Sequence, residues 1–102
     1  MKRYAVLFRP LAEADLDGLY NTIAEASGAA VADRYTERIA AFCAGLETFP
    51  KRGHLRSDLG NGIRVIGFER RVAIVFHVSG KAVEIVRIFY GGRDYSNLEQ
   101  ID

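Results

Sequence analysis

The residues best placed to do chemistry are arginines set inside apolar runs. Arg64 stands in residues 63–68 and Arg87 in residues 83–90, and both runs are otherwise rich in aliphatic and aromatic side chains. A guanidinium in such a place costs free energy unless it is paired or reaches the surface. Its planar fork suits carboxylates and phosphates, which it can hold at two points. Two uses therefore stay open for each: contact with an anionic partner, or an ion pair at a sheet edge or end. Glu84 lies three residues before Arg87. Successive strand residues face opposite ways, so these two do not meet on a regular strand. Tyr90 closes the same run as a stacking ring, a proton donor or a packed strand-end aromatic.

Other chemistries find little support. His54, His77 and Cys43 are the only soft metal ligands, and their wide spacing matches no zinc pattern. No metal and no cofactor is expected. Cys43 sits beside Phe42 in a helical pattern and reads as core. His77 reads as a strand histidine without a chemical role. There is no G-x-S-x-G turn, and Gly91-Gly92 lacks the third glycine and following helix of a nucleotide loop.

The elements that hold these residues must fit in one domain, because 102 residues make one core, over 1–102. No apolar run approaches the ~20 residues of a membrane span. The basic-then-apolar start, Met1 to Phe8, is cut short by Arg9 and Pro10, below the ~7–15 apolar residues of an export signal. A single cysteine allows no internal disulfide, and a reducing cytoplasm is the expected compartment. The net charge of +1 is uneven: residues 1–50 hold five basic and seven acidic side chains, residues 51–102 nine and six. Residues 51–71 carry six basic side chains against Asp58 and Glu69, a segment suited to an acidic partner or a phosphate backbone.

Periodicity supplies the scaffold. Residues 4–8 read as a strand. Pro10 suits the first turn of a helix, and Glu13, Asp15 and Asp17 favour its positive end. Ala12, Leu16, Leu19, Tyr20 and Ile23 form one apolar stripe, and Ser27-Gly28 stops the helix. Val31, Tyr35, Ile39, Phe42, Leu46 and Phe49 advance by threes and fours along a second helix ended by Pro50, and the first five are expected to be buried. A polar loop over 51–62 precedes three apolar runs at 63–68, 72–78 and 83–90, joined by turns short enough for hairpins. The expectation is an α+β fold in the order β-α-α-β-β-β, a two-helix hairpin on an antiparallel sheet. Residues 72–78 are apolar at almost every position and read as a central strand covered on both faces. The helices cover one face; a tail, a partner or a target must cover the other.

In this order of elements the chain resembles the RelE/ParE superfamily of toxins from bacterial type II toxin–antitoxin systems, on the ParE side. The likeness runs from the opening strand through Ala12-Glu13-Ala14-Asp15-Leu16, Leu46-Glu47-Thr48-Phe49-Pro50-Lys51-Arg52-Gly53 and Leu59-Gly60-Asn61-Gly62-Ile63-Arg64. It is most specific over Val83-Glu84-Ile85-Val86-Arg87-Ile88-Phe89-Tyr90-Gly91-Gly92-Arg93-Asp94. Tyr90 departs from the family pattern, where histidine is common.

The resemblance implies a first strand beside the last. It implies a ParD-like, DNA-binding antitoxin that forms a hetero-oligomer with the toxin and gives it indirect contact with DNA. It also implies a part in plasmid stabilisation and, for the ParE branch, poisoning of DNA gyrase without catalytic residues. RelE relatives cut messenger RNA on the ribosome; on that reading Arg64, Arg87 and Tyr90 would be catalytic. A third reading is an antitoxin-binding homologue with little toxicity. The target surface is expected at Arg64, Arg87, Arg93, Asp94 and Tyr95, and antitoxin contacts at Leu11, Leu19 and Ile23.

Overall fold

A computed structural model describes residues 3–91. Strand β1 (Ala5–Phe8) leads into helix α1 (Pro10–Ser27), which turns at Gly28 into α2 (Ala29–Ala44) and a 3-10 turn at Gly45–Glu47. Strands β2 (His54–Leu55), β3 (Ile63–Phe68), β4 (Val72–Ser79) and β5 (Ala82–Tyr90) follow. The sheet order is β1-β5-β4-β3-β2.

The meander β2–β5 is antiparallel, while β1 runs parallel to β5, so the sheet is mixed rather than wholly antiparallel. The mixed edge arises because the whole hairpin and meander separate β1 from β5 in sequence. The expected neighbourhood of first and last strands is present.

One residue makes the helical corner. The Gly28 N–H donates to the Ala24 carbonyl at 2.9 Å, and its φ of 94° lies where an L side chain is strained. The α1 stripe is as expected: Ala12, Leu19 and Ile23 are buried, Leu16 and Tyr20 half-buried. On α2 the buried line is rotated. Ala32, Ile39 and Cys43 are fully enclosed, Tyr35 and Phe42 are half-buried, and Val31 is exposed. Leu46 is buried as expected, but in the 3-10 turn. The small side chains of Ala32 and Cys43 let the α2 backbone approach closely. The rings of Tyr35 and Phe42 lie at its flank, where they meet Phe68 at centroid distances of 6.2 and 5.2 Å. Helix α2 also ends sooner than Pro50. Gly45 is a poor helix former, and Phe49, next to a proline, is disfavoured in helical backbone. Phe49 is left 63% exposed.

Strand β4 divides the core. Its Val72, Ile74 and Phe76 join the helix-side cluster with Leu19, Ile39, Leu46 and Ile85. Its Val75 joins a second cluster with Leu59, Ile63, Val65, Val86 and Phe89. The far face is therefore covered in part by the chain's own loop. Leu59 plugs it, held by backbone bonds from Leu59 N–H to Arg56 O and from Arg56 N–H to Ile63 O. A register shift between Val75 and Phe76 sets Arg87 opposite Val75 and Ile85 opposite Phe76. Val86 is thus the extra residue of a β-bulge, and Ile85 and Ile88, three apart, both face the helices.

Candidate functional site

Arg87 is engaged inside the fold. Its Nε donates to Asp15 Oδ2 at 2.7 Å and its Nη2 to Asp15 Oδ1 at 3.0 Å. The Ile88 N–H donates to the same carboxylate at 2.9 Å. Strand β1 pairs with β5 only from Ala82 to Ile85, so the N–H of Ile88 would otherwise meet no strand. Asp15 takes the place of the missing strand partner. The hydrogen bonds that Arg87 donates to Asp15 hold its pKa above the ordinary value, against the opposing effect of burial. The guanidinium also lies 4.7 Å from the centroid of the Phe89 ring. Of the two uses open to this arginine, the geometry realises the structural one. Glu84 and Arg87 do not pair: Glu84 accepts from Arg9 Nε at 2.9 Å.

Tyr90 packs its ring edge-on against Tyr35 at 6.0 Å and joins the helix-side core. Arg64 is two strands away. It stands opposite Phe76 and Leu55, whereas Tyr90 stands opposite Val72. That offset, two strands across and four residues along, amounts to roughly 16 Å. Arg64, Arg87 and Tyr90 are not brought together around one reacting centre.

The basic turn before β2 is the other feature of interest. Arg52 Nε donates to the Phe49 carbonyl at 2.8 Å, and its guanidinium carbon lies 6.0 Å from the Phe49 ring centroid. Arg64 Nη1 donates to the Arg52 carbonyl at 3.4 Å. Gly53 makes this possible. Its φ is 72°, and a Cβ there would lie 2.3 Å from the Val65 carbonyl oxygen, so only glycine lets the turn lie this close on β3. Arg56, by contrast, is held by Asp58 through a two-point fork at 2.8 and 2.7 Å, which lowers the Asp58 pKa. In the sequence Arg52 belongs to the basic segment 51–71, but Phe49 falls on the apolar line expected of α2 and gives no sign by its own spacing of standing beside it. The signal was the exposed position that Pro50 forces on Phe49.

The residues expected to meet an antitoxin divide by exposure. Leu11 is 61% exposed, while Leu19 and Ile23 are core residues. Ile23 still lines a cleft of about 380 Å³ and Leu19 one of about 390 Å³, and the two clefts share Thr22 and Tyr90. Arg93, Asp94 and Tyr95 lie outside the described residues. Among the described residues no three histidine, cysteine or acidic side chains gather as a metal site would need. Cys43 is enclosed in the core, and burial pushes its thiol up to about 12. His77 is half-buried opposite Ile63 and Glu84, with Nδ1 unpartnered.

Comparison with known proteins agrees with this arrangement. The family model for the ParE toxin of the type II toxin–antitoxin system parDE matches residues 6–95. Toxin ParE3 of Caulobacter vibrioides is 32% identical over 77 residues, 76% of each chain. A solved chain of the chromosomal ParDE system from P. aeruginosa superposes with a TM-score of 0.76 at 26% identity, over 87% of this chain and 97% of that one. A chain of the toxin–antitoxin complex RelBE2 from Mycobacterium tuberculosis shares the fold, with a TM-score of 0.69 at 21% identity over 91% and 97% of the two chains. The match spans the whole described fold, from the middle of β1 past the end of β5, and the chain belongs to the ParE toxin family of type II toxin–antitoxin systems.

Proposed function

We propose that this chain arrests growth by binding and poisoning DNA gyrase, and that a cognate antitoxin neutralises it. The observation that carries the non-enzymatic reading is the separation of Arg64, Arg87 and Tyr90. Cleavage of RNA needs a base for the 2′-hydroxyl, cations for the transition-state charge and an acid for the leaving oxygen, within reach of one phosphate. Here Arg87 is held by Asp15, Tyr90 packs on Tyr35, and Arg64 lies on another strand. A poison needs only a rigid surface. Among the described residues that surface centres on Arg64 and the basic turn beside it, in the cytoplasm where gyrase works.

The antitoxin reading rests on the clefts beside α1 and the end of β5 and on the exposed Leu11. The clefts and Leu11 offer apolar surface to an amphipathic antitoxin segment laid along α1. A stable complex is expected to bury on the order of 1,200 Å² or more. Controlled expression followed by gyrase cleavage-complex and messenger RNA assays tests the target. Trapped gyrase supports the proposal; cut messenger RNA without trapped gyrase overturns it. Co-purification of a small DNA-binding protein from the same operon tests the neutralisation.

A further inference from the structure

Among the described residues, the basic turn sets cations that form no salt bridge beside exposed apolar side chains. Phe49 and Leu55 are 63% and 55% exposed. Arg52 lies by the Phe49 ring, Arg64 donates to the Arg52 carbonyl, and Leu55 stands directly opposite Arg64 on β3. These four residues form one patch with Lys51 beside them in the chain. Arg56 is neutralised by Asp58, but no described carboxylate forms a salt bridge with Lys51, Arg52 or Arg64. Gathering like charges on one turn is unfavourable unless an anion relieves it. An exposed aromatic ring among such charges is the arrangement that binds single-stranded nucleic acid, with phosphates on the cations and a base on the ring.

We infer that the Phe49–Arg52–Arg64 patch is a binding site for single-stranded DNA. Arg52, Arg64 and the neighbouring Lys51 hold phosphates, and a base stacks on Phe49 with Leu55 against the sugar edge. The contacts go to phosphates and to a base face, so the site recognises backbone and stacking rather than sequence. The choice of DNA over RNA rests on the gyrase reading above. The site would let the toxin touch opened DNA directly, without the antitoxin's DNA-binding half.

Fluorescence anisotropy with the full chain and a labelled single-stranded DNA of about 20 nucleotides tests it, across roughly 50–200 mM salt. Three cations on phosphates predict a slope of log affinity against log salt near about −2, a loss of about 15-fold over that range. The Arg52→Gln/Arg64→Gln pair should flatten the slope to about −0.7. Phe49→Ala should weaken binding roughly tenfold and leave the slope unchanged. Circular dichroism melting of each variant separates lost contacts from lost folding. Absence of binding at low salt overturns the site, as does a salt slope that the double variant leaves intact. Tighter binding of the same sequence as RNA, or of polyglutamate, overturns it too. The two readings fail separately. Gyrase trapped by a chain that binds no DNA sinks this site alone; DNA bound by a chain that never traps gyrase sinks the gyrase reading and leaves the patch standing.

Discussion

Asp15 and Arg87, one on the first helix and one on the last strand, form a two-point fork at 2.7 and 3.0 Å that also caps the free N–H of Ile88. The side chains are only 15% and 23% exposed. The pair does what a longer β1 would do, closing the sheet edge where the chain has already turned into α1. An arginine that looked like a target contact in the sequence is thereby spent on the fold.

Removing one partner strands the other. Arg87→Ala is expected to lower stability by about 1–3 kcal/mol, less than the loss for a fully buried pair because water still reaches the groups. Asp15→Ala should cost at least as much, since the Ile88 N–H also loses its acceptor. Urea denaturation of both variants and of the double variant gives the coupling energy; an Arg87→Ala chain that melts like the parent would return Arg87 to the target surface.

Gly53 makes a sharper backbone prediction. Its φ of 72° and the 2.3 Å approach to the Val65 carbonyl leave no room for a methyl group. Gly53→Ala should cost about 2 kcal/mol or more and free β2 from β3. Gly18 is the control: it lies within α1 with open space around its Cβ direction, so Gly18→Ala should stabilise by roughly 0.5–1 kcal/mol. Thermal melts of the two variants should move in opposite directions.

Cys43 should be silent until the chain opens. With its thiol pushed up to about 12 by burial, almost no thiolate exists at neutral pH. A thiol reagent such as DTNB should leave the native chain unmodified and react fully in denaturant. Rapid labelling of the folded chain would mean that α2 does not pack as described.

The hairpin between β3 and β4 makes stability depend on acid. Glu69 and Arg70 sit at φ of 48° and 65°, a strained turn for residues with side chains. Arg38 reaches over from α2 and holds Glu69 at 3.0 and 2.9 Å. The hydrogen bonds from Arg38 hold the Glu69 carboxyl below its ordinary pKa. A depressed folded pKa stabilises above the unfolded value, near about 4.3, and that stability is lost as pH falls through the folded value. The pair is exposed, so its contribution is small and weakened by salt. Glu69→Gln should flatten the acid limb of a stability–pH curve at low ionic strength and change little near neutrality.

The parts of the fold that repeat locally could be read from the sequence, and the parts that depend on distant partners could not. Residues 63–68 and the two runs after them showed their strands because an apolar run between turn residues has few other solutions. Gly28 marked the helical corner for the same local reason. Strand β2 is only His54–Leu55 and carries no pattern to recognise. Leu59 looked like a lone leucine in a polar loop, yet it covers the far face of the sheet. The bulge at Val86 breaks the alternation on which the facing of Arg87 was judged, and Asp15 lies 72 residues from its partner. At the candidate site, Arg64 was legible because a charge in an apolar strand stands out. Arg52 was legible only as one charge of the basic segment 51–71, and Phe49 was not, because its exposure depends on where α2 ends.

A gyrase cleavage assay with purified chain, supercoiled DNA and ATP distinguishes action on gyrase from action on messenger RNA. A gyrase poison should give linear DNA after detergent and protease treatment, in proportion to toxin, reduced by Arg64→Ala while the variant's melting temperature holds. Supercoiling that proceeds unchanged, with no linear product while the same chain arrests growth and cuts messenger RNA on ribosomes, would contradict the gyrase reading.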